Sequence, residues 1–151
     1  MKPRYKRIIT FLIIFMCCGA FSTAISDNFM SISGNSMYPT LKDKQVVRVS
    51  KIKEIKRFDI VIAKKHDNYL IVKRVIGLPN EKIEYKDNHL YINEKPVTES
   101  FIDLYLTKTE DFTYTLKDDE YFLLGDNREY STDSRELGAF KKEKLLYLVS
   151  N

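Results

Sequence analysis

From Ile8 to Ser26 the chain carries no charged side chain. At ~1.5 Å per residue, a helix over this stretch is roughly 28 Å long, close to the ~30 Å hydrocarbon core of a bilayer. Lys2, Arg4, Lys6 and Arg7 precede it, and Asp27 follows it. That asymmetry predicts a cytoplasmic N-terminus and an exported C-terminal part. The expected organisation is a basic tail over 1–7, a transmembrane anchor over 8–26 and an extracytoplasmic domain over 27–151. A cleavable signal peptide is the main alternative. The most apolar part, Ile8 to Cys18, is short, and Ser22-Thr23-Ala24 has a small-x-small pattern. A mature chain starting at Ile25 would decide for it. A buried core helix fits less well, because the stretch has no amphipathic period.

Once the tail is set aside, charge says little about partners. Four of the 25 basic residues precede Ile8, and all 21 acidic residues follow Ser26. The remainder is neutral, so the pI near 8.9 reflects the tail. A nucleic-acid binder would need a basic face in its folded domain. The run from Lys51 to Arg57, interrupted by Glu54, reads as a solvated edge or loop. Cys17 and Cys18 both lie in the apolar stretch, which leaves the rest without a disulfide or a thiolate metal site. His66 and His89 stand alone in turn-like segments and read as surface residues.

Beyond Asp27 the apolar residues come in short runs cut by turn residues. Gln45 onward alternates, with Val47 and Val49, then Ile52 and Ile55. Phe58–Ala63 and Tyr69–Ile76 are compact apolar runs, the second closed by Gly77-Leu78-Pro79-Asn80. Lys82–Tyr85 and His89–Asn93 flank Asp87-Asn88, a hairpin signal, and Asn93-Glu94-Lys95-Pro96 turns the chain again. Phe112–Leu116 and Glu120–Leu124 read as a further pair across Lys117-Asp118-Asp119, and Leu145–Val149 as a last strand. No sustained helical period and no βαβ rhythm is present. The fold class expected is all-β with antiparallel pairing.

Three segments carry potential chemistry. In Ser33-Gly34-Asn35-Ser36-Met37-Tyr38-Pro39-Thr40-Leu41, Gly34 permits an unusual φ and Pro39 fixes the exit, so Ser36 can be held with its Oγ exposed. Read alone, this is an ordinary turn serine. In Leu70-Ile71-Val72-Lys73-Arg74-Val75-Ile76-Gly77-Leu78-Pro79, strand alternation puts Lys73 with Ile71 and Val75, and Arg74 with Val72 and Ile76. One cation then lies on an apolar face. Desolvation would make such a lysine a better base, although a snorkelling lysine is commoner. Gly125 to Gly138 is dense in hydrogen-bonding groups, as a buried polar network requires. There Ser131 could orient a lysine amine, and Asp133 with Arg135 could form an ion pair. The plain alternative is a hydrophilic loop with Asx-type turns.

Taken together and in this order, the segments resemble those of type I signal peptidases, in the compact form of Gram-positive bacteria. The resemblance covers the apolar N-terminal stretch, Ser33–Leu41, Phe58-Asp59-Ile60-Val61, Val72–Glu84 and Gly125–Gly138. It implies a membrane-bound serine endopeptidase that removes signal peptides after small-x-small sites. Ser36 would be the nucleophile and Lys73 the general base. Ser131, Asp133, Arg135 and Asp126 would support them, and Met30, Ile32, Met37, Leu41 and Val72 would line the substrate pockets. The Ser36 backbone N–H would contribute to the oxyanion hole. No metal or nucleotide cofactor is implied. The expected partners are signal peptides, the lipid bilayer and the secretion translocon, with no nucleic acid. Gly34 stands where some members have a second serine, Tyr130 replaces a frequent asparagine, Asn80-Glu81 replaces Gly-Asp, and Phe58 replaces a glycine.

Other classes remain in view. A self-cleaving Ser/Lys repressor would need an upstream helical DNA-binding domain. A membrane-tethered binding module leaves the three segments unexplained. A catalytically dispensable relative, acting as a chaperone in surface or pilus assembly, should have lost Ser36 or Lys73.

Overall fold

The computed structural model describes residues 28–65, 69–102 and 107–150. The tail and anchor expected over 1–26 lie outside them. Among the described residues, no helix is long and apolar enough to cross a membrane.

The described residues build two antiparallel sheets. The larger contains β1 (Asn28–Ser31), β2 (Val46–Lys51), β3 (Ile60–Lys64), β4 (Leu70–Gly77), β9 (Glu120–Leu124), β10 (Phe140–Lys141) and β11 (Leu145–Ser150), in the order β1-β2-β11-β3-β4-β9-β10. The smaller contains β5 (Lys82–Lys86), β6 (His89–Ile92), β7 (Lys95–Val97) and β8 (Phe112–Thr115), in the order β7-β6-β5-β8. One α-helical turn, α1 (Ser134–Leu137), follows β9. The all-β expectation holds.

The apolar runs become strands with both faces covered. Ile60 and Ile62 of β3 enter a cluster with Ile32, Met37, Leu41, Val47 and Val49, while Val61 and Ala63 face a second cluster with Val75, Tyr121, Leu123, Phe140 and Leu145. On β9, Phe122 and Leu124 turn instead toward Ile76, Ile83, Tyr85 and Leu90, which joins the two sheets. Each such fully buried side chain contributes about 1.5–3 kcal/mol. The sheets approach closely at Gly77. A Cβ there would sit 2.3 Å from Ile83 Cδ1 and 2.6 Å from Leu116 Cδ1.

Turn chemistry sets the small sheet. Asp87 and Asn88 have φ of 50° and 63°, and Asn93 and Glu94 have 49° and 67°. Two successive positive φ values are the signature of the tight turn whose twist suits a hairpin. The β5–β6 and β6–β7 pairs follow.

The expected hairpin between Phe112–Leu116 and Glu120–Leu124 does not form. β8 pairs with β5, whereas β9 pairs with β4 and β10. The reason lies in the two patterns. β8 alternates half-buried Phe112 and Tyr114 with exposed Thr113 and Thr115, whereas β9 is buried throughout. A strand with one wet face belongs on the outer sheet, and a strand buried on both faces belongs inside.

Candidate active site

The serine segment leaves β1 and is folded by its own polar groups. Gly34 adopts φ +88°, a conformation natural to glycine, and its N–H donates to Asp43 Oδ1 at 2.8 Å. Leu41 N–H donates to the Met37 carbonyl at 2.9 Å. Met37 and Leu41 are buried to 1% and 0% exposure. They anchor the segment from below and leave Ser36 partly accessible.

Lys73 comes from the middle of β4, opposite Val61 of β3. Its Nζ is 2.7 Å from Ser36 Oγ and 3.1 Å from the Val72 carbonyl. Lys73 is only 3% exposed. Burial pulls its pKa down from 10.5 to about 8, against the opposing pull of Asp133 and Asp126, while Arg135 assists. Alternation led to the expectation that one cation of the Lys73-Arg74 pair is buried; both are. They meet burial differently. Among the described residues Lys73 has no carboxylate in salt-bridge contact, whereas Arg74 is paired.

Arg74 donates from Nε to Asp126 Oδ1 at 2.8 Å and from Nη2 to Asp126 Oδ2 at 2.6 Å. The Thr40 hydroxyl donates to the same Oδ2 at 2.5 Å. Arg74 also donates to the Phe58 carbonyl at 2.9 Å and lies 3.9 Å over the Phe101 ring. One carboxylate therefore ties the serine segment, the lysine strand and the closing loop together. Thr40 and Arg74 were not among the expected site residues. Arg74 was legible as a second cation on the opposite face, which required an anion.

Phe58 has φ +71°. That conformation costs a non-glycine residue about 1–2 kcal/mol, which accounts for the glycine found there in the resembled family. Here the edge contact of Phe58 with Phe101 (centroids 5.1 Å apart) and the Arg74 hydrogen bond hold it. Asn80 likewise has φ +64°, as expected for its turn.

The closing loop is the buried polar network its composition required. Asp133, 0% exposed, accepts from Arg135 Nε at 2.8 Å and Nη2 at 2.9 Å, and from Gly125 N–H at 3.0 Å. It also caps α1 through Arg135 N–H. Asn127 N–H donates to the Ser36 carbonyl at 3.0 Å, which brings this loop against the serine segment. Ser131 is buried beside it, but its Oγ has no hydrogen-bond partner among the described residues. The expected hydrogen bond from Ser131 to the Lys73 amine is therefore not formed in this arrangement.

Gly125 is where the closing loop passes closest to the Ser36 backbone. A Cβ there would fall 2.1 Å from Ser131 Oγ and 2.5 Å from the Ser36 carbonyl oxygen. Gly125→Ala is expected to displace Ser36 and lower kcat/KM by about 10²-fold, the effect of an ångström-scale misplacement. Far-UV circular dichroism alongside the assay separates this from global unfolding.

A cleft of about 160 Å³ opens beside the pair, lined by Met30, Ser31, Ile32, Ser33, Ser36, Ile62, Leu70, Ile71, Val72 and Lys73. Three of the five expected pocket residues, Met30, Ile32 and Val72, line it. Met37 and Leu41 do not; they lie in the core beneath.

Comparison with known proteins identifies the family. The model of the family described as "Signal peptidase, peptidase S26" matches residues 4–149. Signal peptidase I V of Bacillus subtilis is 39% identical over 139 residues, covering 80% of this chain and 82% of the relative. Signal peptidase IB of Staphylococcus aureus is 37% identical over 143 residues, covering 80% and 74%. A crystal structure of a signal peptidase I from Enterococcus faecalis superposes with a TM-score of 0.61 at 35% identity, covering 66% of this chain and 99% of that one. The chain therefore belongs to the signal peptidase family, peptidase S26, whose members are serine endopeptidases that remove signal peptides.

Proposed function

We propose that this signal peptidase cuts exported preproteins by acyl transfer on Ser36, with neutral Lys73 as the base. The 2.7 Å separation of Lys73 Nζ and Ser36 Oγ carries the reading. The amine takes the hydroxyl proton as Oγ attacks the scissile carbonyl. The tetrahedral intermediate then collapses, and the resulting ammonium protonates the leaving amine. Water, deprotonated by the same amine, attacks the ester; the second tetrahedral intermediate collapses to the free carboxyl product as the ammonium returns its proton to Ser36 Oγ. Backbone donors around Ser36, including its own N–H, stabilise the oxyanion. Gly34 supplies no hydroxyl to help them.

Supporting roles follow from contacts. Asp126 holds Thr40 and Arg74, and so sets the register of nucleophile and base. Asp133 and Arg135 fix the loop at Gly125. Ser131, with a buried hydroxyl free to accept, is assigned to receive a hydrogen bond from the Lys73 ammonium as it forms. The narrow apolar cleft at Met30, Ile32 and Val72 suits small side chains, which supports cleavage after small-x-small sites. An extended substrate would lie beside β1, an edge strand of the large sheet.

The uncharged stretch over 8–26 would anchor the chain in the cell membrane with its catalytic domain outside, beside the lipid surface and the translocon from which preproteins emerge. A dispensable-catalysis role gains nothing from the relatives, which are named as peptidases.

The test is cleavage of a preprotein bearing an Ala-x-Ala site by wild type, Ser36→Ala and Lys73→Ala. Both variants should lose at least about 10³-fold in kcat/KM. Wild-type rates in either variant reject the dyad.

A further inference from the structure

A second depression, of about 570 Å³, is lined by Asn35, Tyr38, Asn127 and Tyr130, which adjoin Ser36 through Asn35 in sequence and through the Asn127 hydrogen bond to its carbonyl. It shares no lining residue with the Met30–Val72 cleft. Its four residues form two matching turns. Tyr38 N–H donates to the Asn35 carbonyl and Tyr130 N–H to the Asn127 carbonyl, each at 3.1 Å. The turns are tied to each other, because Asn127 Nδ2 donates to the Asn35 carbonyl at 3.1 Å. They are also tied to the nucleophile, because Asn127 N–H donates to the Ser36 carbonyl. The result is a fixed frame that carries two aromatic rings in solvent, Tyr38 at 52% and Tyr130 at 76% exposure. Neither ring belongs to a core cluster, so folding does not account for them.

An extended peptide with its scissile carbonyl at Ser36 Oγ must leave the nucleophile in two directions. The narrow cleft between β1 and the start of β4 takes the acyl side. The leaving side must then cross the other surface that borders Ser36. We infer that the Asn35–Tyr38–Asn127–Tyr130 depression binds the first residues after the cleavage site, as an extended neutral segment. This rests on the dyad reading above. Tyrosine faces pack against peptide planes and apolar side chains, and side-chain amides can donate to and accept from a peptide backbone. The lining carries no charge, so a charged side chain placed there loses water without gaining a partner. Because the turns are pre-tied, little ordering cost remains on binding.

The experiment uses the full chain and two substrates with the same Ala-x-Ala acyl portion. One continues as a peptide with apolar residues after the cleavage site; the other ends in a coumarinyl amide. Loss of one aromatic contact predicts that Tyr130→Ser and Tyr38→Ser each lower the peptide-to-coumarinyl ratio of kcat/KM about 3- to 10-fold. Tyr130→Phe should keep most of the ratio, and aspartate after the cleavage site should lower it for wild type. An unchanged ratio in both serine variants overturns the inference, including the case where both substrates slow equally through a structural defect. Ser36→Ala separates the two levels. If it still cuts both substrates, the dyad reading itself fails and the inference falls with it.

Discussion

Replacing Lys73 by methionine should abolish cleavage and stabilise the fold in the same variant. Methionine matches the lysine stem in length and is at home in an apolar interior. The activity loss is that of a missing general base, at least about 10³-fold in kcat/KM. The stability gain follows from linkage. Folding lowers the Lys73 pKa from 10.5 to about 8. Below about pH 8 the amine is protonated in both states, and the full penalty of burying it is present. Between pH 8 and 10.5 only the unfolded chain holds the proton, so stability rises with pH and the penalty is relieved. The shift corresponds to ~3 kcal/mol. Loss of the contacts to Ser36 Oγ and the Val72 carbonyl offsets part of it, leaving about 1–3 kcal/mol in favour of methionine at pH 7. Urea unfolding at pH 7 and pH 10 should show this advantage shrinking as pH rises. A variant less stable than wild type at pH 7 would mean that Lys73 is not under desolvation strain.

The largest stability loss should come from Arg128→Met. Arg128 and Glu99 pair at 2.6 Å with side chains 1% and 2% exposed. Tyr85 donates to Glu99 and receives from Arg128, and burial raises its pKa, so its hydroxyl stays protonated. Arg128 Nε also donates to the Gly125 carbonyl at 2.9 Å, which connects this pair to the active-site loop. Removing the arginine strands a buried carboxylate, at a cost of about 3–5 kcal/mol. Arg128→Met with Glu99→Leu should recover only part of that loss, since the apolar pair removes the stranded charge but leaves the buried Tyr85 hydroxyl and the Gly125 carbonyl without these partners. Equal midpoints for Arg128→Met and wild type in urea would show that Glu99 finds another partner.

The fold was legible in sequence wherever pattern is local. Asp87-Asn88 announced its hairpin because adjacent Asp and Asn accept positive φ. The core of the run Phe58–Ala63 became β3, a strand covered on both faces from Ile60 on, while Phe58 turned at positive φ. The pairing of β8 with β5 was not announced, because Lys117-Asp118-Asp119 has the composition of a hairpin turn and partner choice depends on distant strands. The contrast between alternating Phe112–Thr115 and solid Glu120–Leu124 held the missing information.

The site was legible in the same uneven way. Ser36, Lys73, Asp133 and Arg135 were indicated by their segments, and the structure brings all four together. Arg74–Asp126 and Arg128–Glu99 escaped notice because each joins residues 52 and 29 positions apart. A buried ion pair leaves no local spacing to read. Ser131 was expected on the lysine amine, but its hydroxyl is buried without a partner among the described residues. Met37 and Leu41 were assigned to the substrate pocket on resemblance, yet they lie in the core beneath it.

The central claim is that a neutral Lys73 activates Ser36, and the pH dependence of acylation tests it most directly. Only the deprotonated amine can accept the Ser36 proton, and its pKa is about 8. Single-turnover kcat/KM for an Ala-x-Ala substrate should therefore rise with pH to a half-maximum near 8, falling about tenfold per unit well below it. A rate that stays flat from pH 8 down to pH 5 would contradict a lysine base.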